Sequence, residues 1–187
     1  MAAYLQSYRY FASSGLPFEL RAMPEARRWV EERGIQLGIH VRRTDQLAAE
    51  RGGNDPGARY FQAALVLLRR AVSGQALAAV VCTDDVEWVR QQAVFDGMHI
   101  RDGTASPVED MAILASCKHM VMSLGTFGWW AAYLRMFAGE TYYYATPFQR
   151  PMDYSEHFPP HWTGLADADV DFVLLDAPAT KETTAEH

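Results

Sequence analysis

Between residues 35 and 145 short, mostly apolar runs alternate with stretches whose apolar positions recur every three or four residues. Ile35-Gln36-Leu37-Gly38-Ile39-His40-Val41 reads as a strand. So do Leu77 to Cys82, a short run near Met98-His99-Ile100, His119 to Ser123, and Thr141 to Ala145 as the last of the series. Between them Tyr60 to Val72 keeps Tyr60, Ala64, Leu67, Leu68 and Ala71 on one helical face. Val86 to Ala93, Pro107 to Ser116 and Phe127 to Phe137 read as further helices. Strand and helix in this rhythm form parallel βαβ units with helices covering the sheet. The expected fold class is therefore α/β, a Rossmann-like parallel sheet with flanking helices.

The flanks divide the chain. Upstream, Tyr4, Leu5, Tyr8, Phe11 and Ala12 share a helical face, stopped by Ser13-Ser14-Gly15-Leu16-Pro17. After Pro24, Ala26-Arg27-Arg28-Trp29-Val30-Glu31-Glu32 forms a second helix closed by Gly34. Residues 1–34 are thus a helical lead-in, 35–172 the Rossmann-like domain, and 173–187 a tail, frayed from Ala179 onward. A chain of 187 residues suits one domain or slightly more.

Charge narrows the function classes. The 17 basic residues against 23 acidic ones leave a net charge of −6, which argues against general nucleic-acid binding. A local basic cluster can still grip a small phosphate ligand. The two cysteines, Cys82 and Cys117, exclude a disulfide scaffold and a multi-cysteine zinc site; both read as small buried hydrophobes. No His-Glu-x-x-His spacing occurs, so no metal is expected. No apolar run approaches the ~20 residues that cross a bilayer. The first residues lack the basic and apolar regions of a signal peptide.

Open α/β sheets bind ligands outside the carboxyl ends of their strands. Each polar cluster of this sequence falls at such an end. His40-Val41-Arg42-Arg43-Thr44-Asp45 leaves the first strand, and Thr83-Asp84-Asp85 leaves the second. Ser123-Leu124-Gly125-Thr126-Phe127-Gly128 leaves a later one and opens a helix. Guanidinium forks match phosphate oxygens, although a salt bridge to Glu50 or Asp45 suits Arg42-Arg43 equally well. Adjacent side chains diverge, so one arginine should face a ligand and the other support the loop. The serine–threonine segment offers free amides and hydroxyls to an anion, or simply caps its helix. Thr83-Asp84-Asp85 can likewise cap the helix that follows. Asp110, in the first turn of a helix, either answers the helix dipole or accepts two hydrogen bonds from a guanine edge. His40 on an apolar strand also fits a satisfied structural role. Neither a Walker sequence nor a Gly-x-Gly-x-x-Gly fingerprint is present.

Taken in order, His40 to Asp45, Val81 to Asp85, Glu109 to Ala115 and Val121 to Leu134 closely resemble the galactoside α-1,2-fucosyltransferases, family 11 of the glycosyltransferases. Tyr4 to Phe11 and Phe158 to Leu165 are similar to that family's opening helix and closing segment. The resemblance implies the donor-binding half of a GT-B-type glycosyltransferase. It implies inverting, metal-independent transfer of fucose from GDP-β-L-fucose to the 2-hydroxyl of a terminal galactose, with a galactose-terminated glycan as acceptor. Carried over by motif, Arg42 holds the diphosphate and assists its departure, Arg43 and Asp45 shape the site, and Asp45 is the candidate base. His40 and Asp110 face guanine or ribose. Thr83 and Asp84 line the donor site, and Ser123, Thr126 and Phe127 meet the phosphates.

Two departures qualify the resemblance. The sequence starts at the family's first helix of this half, which implies a partial or reduced protein. Thr44 stands where most α-1,2 members carry glycine, as in core fucosyltransferases. Animal members imply a Golgi-luminal setting with the anchor ahead of this segment; bacterial members imply the cytoplasm.

Overall fold

The computed structural model describes residues 22–44, 47, 55–101, 106–135, 137–145 and 156–177. Six strands form a single sheet: β1 (Ile35–Val41), β2 (Ala78–Thr83), β3 (His99–Arg101), β4 (His119–Met122), β5 (Thr141–Tyr144) and β6 (Thr163–Leu165). Their spatial order is β3-β2-β1-β4-β5-β6, and every pairing is parallel. Among the described residues six α-helices accompany them: α1 (Met23–Glu32), α2 (Gly57–Ala71), α3 (Val86–Arg90), α4 (Pro107–Ser116), α5 (Thr126–Tyr133) and α6 (Asp167–Leu175).

The period-two alternation of the strands sends side chains to two separate cores. Leu37, Ile39 and Val41 face the layer built by α2 and α6, where Tyr60, Phe61, Leu68, Val170 and Val173 are buried. Gly38 and His40 face the opposite layer. There Met23, Ala26 and Val30 of α1 pack with Leu114 and Trp129 from α4 and α5. Gly38 is small for a reason: a Cβ there would lie 3.0 Å from Leu114 Cδ2 and 3.3 Å from Cys117 Sγ. Burial in this layer pushes the Cys117 thiol up to about 12, so it stays protonated and acts as an apolar filler, as expected.

The helices start and stop by ordinary chemistry. Ser106 caps α4 by accepting from the Val108 amide at 3.3 Å, and Pro107 takes the first position, where no amide donor is needed. Asp85 caps α3 by accepting from the Trp88 amide at 3.1 Å. Gly34 closes α1 with φ +61°, a conformation that side chains avoid.

Several boundaries differ from the sequence expectation. α3 stops at Arg90 instead of Ala93 because a 3-10 turn, Ala93–Phe95, takes over and buries Phe95. α5 stops at Tyr133 instead of Phe137, with Leu134 as its C-cap. Thr141 to Tyr144 is not the last strand: β6 follows it, and α6 continues to Leu175, across the boundary drawn at 172. Three-residue β6 carries too short a pattern to read. The acidic run Asp167-Ala168-Asp169-Val170-Asp171 hid the helical pair Val170 and Val173, which are buried three residues apart. The expected helix within residues 4–12 lies outside the described residues.

The turn after α5 is held by Arg135. Its guanidinium donates to the carbonyls of Lys118 at 2.6 Å, Gly139 at 3.4 Å and Glu140 at 3.4 Å, and to the Thr141 hydroxyl. The backbone at Gly139 comes so close that a Cβ would sit 2.0 Å from the Lys118 carbonyl oxygen. Burial lowers the Arg135 pKa to about 10, leaving it charged at neutral pH among neutral acceptors. Arg135→Met should therefore lower unfolding stability by about 2–3 kcal/mol, because several carbonyls lose a charged donor together. Urea denaturation followed by tryptophan fluorescence checks this; an unchanged midpoint would show that water replaces the arginine without loss.

Candidate functional site

Strand order reverses between β1 and β4: the chain winds outward from β1 through β2 to β3, then returns to β4 on the other side. In such sheets the loops leaving the two central strands diverge and open a crevice at their carboxyl ends. The segment after β1 carries Arg42, Arg43 and Thr44; the segment after β4 carries Ser123 to Phe127. Two polar segments about 80 residues apart, picked out by sequence, thus meet at one edge.

They are tied together by hydrogen bonds. The Ser123 Oγ accepts from the Arg42 amide at 2.8 Å, and the Ser123 amide donates to the His40 carbonyl at 2.9 Å. From the β2 side, Asp84 Oδ1 accepts from the Arg43 amide at 2.8 Å while Asp84 Oδ2 accepts from the Thr44 hydroxyl at 2.6 Å. Thr83 Oγ1 accepts from the Asp85 amide at 3.0 Å and shapes the turn that presents these carboxylates. Three consecutive residues after β1 are anchored by neighbours on both sides.

The two arginines divide as expected. Arg43 is 8% exposed: its guanidinium donates to Asp55 and, at 3.3 Å, to Asp85, and its Cζ lies 3.9 Å from the Trp88 ring centroid. Two carboxylates and an indole face saturate it, so it supports the loop. The salt-bridge reading thus holds for Arg43, with partners Asp55 and Asp85; Asp45 and Glu50, the partners expected from sequence, lie outside the described residues. Arg42 is half-buried and runs the other way, its Cδ 3.4 Å from where a Cβ of Gly125 would stand. This brings it beside the start of α5, where Gly125 is the N-cap with φ +106° and no side-chain cap. Neither Ser123 nor Thr126 caps that helix: the serine hydroxyl holds Arg42, and Thr126 is exposed. The uncapped amides of α5 and the Arg42 side chain can together meet an anion.

Beneath this edge lies His40, only 5% exposed. Its ring is 5.3 Å from the half-buried Phe127 ring, and a Cβ on Gly128 would stand 2.6 Å from its Nδ1. That nitrogen is buried and has no hydrogen-bond partner among the described residues, so His40 is not the satisfied core histidine that one reading of the strand allowed. Burial, reinforced by the Arg42 charge, lowers its pKa to about 4, and the imidazole is neutral at physiological pH. Asp110, 8% exposed at the start of α4, is paired with Arg101 at the end of β3: the Arg101 Nε donates to Asp110 Oδ1. Asp55, Trp88 and Arg101 escaped sequence reasoning. Each is locally unremarkable, and only the sheet order reveals its partner. Among the described residues no group of three or more histidine, cysteine or carboxylate side chains gathers in metal-binding geometry.

A parallel six-stranded sheet in this order, with an arginine and an uncapped helix start at the reversal, defines an α/β protein of the Rossmann-like class. Residues 29–166 match the model of glycosyl transferase family 11, and the chain belongs to that family. It is 35% identical over 149 residues to galactoside alpha-(1,2)-fucosyltransferase 2 of Gorilla gorilla gorilla, a match covering 71% of this chain and 41% of that protein. To galactoside alpha-(1,2)-fucosyltransferase 1 of Alouatta belzebul it is 34% identical over 159 residues, covering 78% and 42%. Among solved structures, POFUT1 in complex with GDP-fucose aligns with a TM-score of 0.48 at 10% identity, covering 68% of this chain and 46% of that one. The chain spans about two fifths of the length of the curated relatives it matches.

The buried imidazole makes stability depend on pH. The unfolded chain takes up a proton on His40 near pH 6.5, whereas the folded chain resists until about 4. Its contribution is therefore full above pH 6.5 and is lost as pH falls toward 4. At about 1.4 kcal/mol per pKa unit the loss is on the order of 3 kcal/mol. The buried and half-buried His119 and His157 are shifted down as well, so the comparison is with His40→Gln, whose stability should fall less over this range. Parallel pH–stability curves for the two proteins would show that His40 carries no such load.

Proposed function

We propose that this chain is the donor-binding half of a GT-B-type galactoside α-1,2-fucosyltransferase. It binds GDP-β-L-fucose and passes the fucose, with inversion and without a metal, to the 2-hydroxyl of a terminal galactose. The observation that carries the reading is Arg42 beside the uncapped start of α5, at the point where strand order reverses. Family membership and the relatives' names supply the substrate class.

The chemistry follows from these residues. As the bond between fucose C1 and the β-phosphate oxygen breaks, the sugar gains oxocarbenium character and the departing GDP gains negative charge. Arg42 and the α5 amides neutralise that charge, with Thr126 and Phe127 at the phosphate side. Ser123 acts through the Arg42 amide, and Arg43, Thr83 and Asp84 hold the loop. The neutral His40 packs under the nucleotide, and Asp110 takes guanine N1–H and the 2-amino group on its carboxylate. The acceptor's 2-hydroxyl attacks C1 from the opposite face and gives up its proton; Asp45 is the residue we assign to receive it. The setting we assign is the Golgi lumen, that of the family's animal members. Among the described residues no helix is long and apolar enough to cross a membrane.

A second reading has its own support. One alternative is a nucleotide-sugar-binding module that does not catalyse transfer, since the arginine and the uncapped helix start suffice to hold a donor phosphate. Thr44, hydrogen-bonded to Asp84, stands where most α-1,2 members carry glycine and suits the other alternative, a fucosyltransferase of core or protein O-linked type. Transfer of labelled fucose to lactose, with the linkage read by NMR, separates all three.

Two sets of variants test the site. Arg42→Ala should abolish transfer and weaken GDP binding, and Arg42→Lys should restore only part, because lysine keeps the charge and loses the planar fork. Each charge-assisted hydrogen bond lost to phosphate costs about 1.5–3 kcal/mol. Unchanged GDP affinity in the alanine variant, or activity abolished by EDTA and restored by Mn²⁺, would overturn this arrangement. Asp110→Asn places an amide donor against a guanine donor. It should lose GDP affinity and most of the preference for GDP over ADP while the fold persists. Calorimetric titration beside a thermal melt decides; a variant that discriminates like the wild type returns Asp110 to a purely helical role.

A further inference from the structure

The pair that Asp110 makes with Arg101 lies at the carboxyl edge of the sheet, two strands over from the Arg42 loop. Arg101 is the last residue of β3, and Asp110 stands in the first turn of α4. The guanidinium is held from three directions. Its Nε donates to Asp110 Oδ1, its Nη2 is 3.9 Å from Glu109 Oε2, and its Cζ lies 5.6 Å from the Trp29 ring centroid. Both partners are largely enclosed, with side-chain exposures of 18% for Arg101 and 11% for Asp110.

Stability alone is a poor reason for such a pair. Desolvating two charges offsets most of their attraction, so a largely buried ion pair adds little net stability over apolar residues of similar size. Its geometric effect is larger. The carboxylate torsion of an aspartate is broad and roughly two-fold, and one directed hydrogen bond to Oδ1 selects a single plane. The Arg101 contact occupies one lone pair of Oδ1, and no described residue hydrogen-bonds Oδ2. Nor is Oδ2 a buried orphan. The carboxylate therefore retains one acceptor site on Oδ1 and both on Oδ2 in a fixed plane. Two parallel N–H donors on a flat base require that arrangement.

Resting on the reading of Asp110 as the guanine acceptor, we infer that Arg101 is a positioning residue for base recognition: it orients the Asp110 carboxylate so that guanine is selected through its 2-amino group. Arg101 itself touches no part of the nucleotide. Glu109 and Trp29 keep the guanidinium from swinging away from Asp110.

The experiment is calorimetric titration of GDP, IDP and pyrophosphate into the full chain and into Arg101→Gln, Arg101→Lys and Asp110→Asn. IDP keeps the N1–H and lacks the 2-amino group. In Arg101→Gln the GDP affinity should fall about tenfold and the GDP-to-IDP ratio should approach one, while pyrophosphate affinity stays at the wild-type value. A merely structural role would weaken all three ligands together. Arg101→Lys, which keeps the charge near Asp110 and loses the fixed Nε–H, should give an intermediate ratio, and it serves where the glutamine variant does not fold. Wild-type ratios in these variants, with Asp110→Asn reduced, would overturn the inference and leave the guanine contact standing. An unchanged ratio in Asp110→Asn would overturn the guanine contact itself, and the inference with it.

Discussion

The parallel pairing of β1 with β4 is the constraint on which the rest of this structure depends. β1 is central, with β2 on one edge and β4 on the other, and the helices that follow β1 and β4 lie on opposite faces. The loops leaving β1 and β4 start from this reversal, the place where sheets of this kind form their ligand crevice. β1 must also be apolar on both faces, and its alternate side chains serve different cores: Ile39 one layer, His40 the other. His40 is the buried polar residue of this strand, a neutral imidazole pressed against the first turn of α5.

Around that crevice the chain invests polar groups in holding one loop still. Asp84 uses both carboxylate oxygens on successive residues, Ser123 takes the amide before them, and Asp55, Asp85 and Trp88 enclose the Arg43 guanidinium. The consequence for Arg42 is a fixed starting point. Its backbone is anchored at one amide and its neighbour at another, so little conformational freedom is left to lose when an anion arrives. Two adjacent arginines thus do opposite work, and the strand's alternation decides which does which.

Much of this was legible in the sequence. Apolar runs separated by helix-period segments located five of the six strands, and the polar clusters at their ends marked the edge where the segments after β1 and β4 meet. What stayed hidden was relational. Arg43 could be seen to need a carboxylate, but Asp55 and Asp85 become its partners only once β2 is placed beside β1 and α2 is packed across them. Arg101 ends β3, a strand the run near Met98-His99-Ile100 marked, but nothing local named Asp110 as its partner. The acidic composition of residues 167–171 masked α6, because the two valines that bury it are outnumbered by aspartates facing away. Helix α5 carries no polar stripe from which its orientation could be read, since both Trp129 and Ala131 are buried.

The hydrogen bond from the Arg42 amide to Ser123 spans 81 residues of sequence. Neither half of the crevice exists as a local motif; it is assembled only when the chain has folded through β4. A ligand that needs both halves therefore binds the folded chain and ignores the unfolded one. By mass action, occupancy at a hundred times the dissociation constant adds about 2.7 kcal/mol to folding stability. For such a ligand folding and recognition are one equilibrium, and the folded fraction rises with the concentration of the ligand.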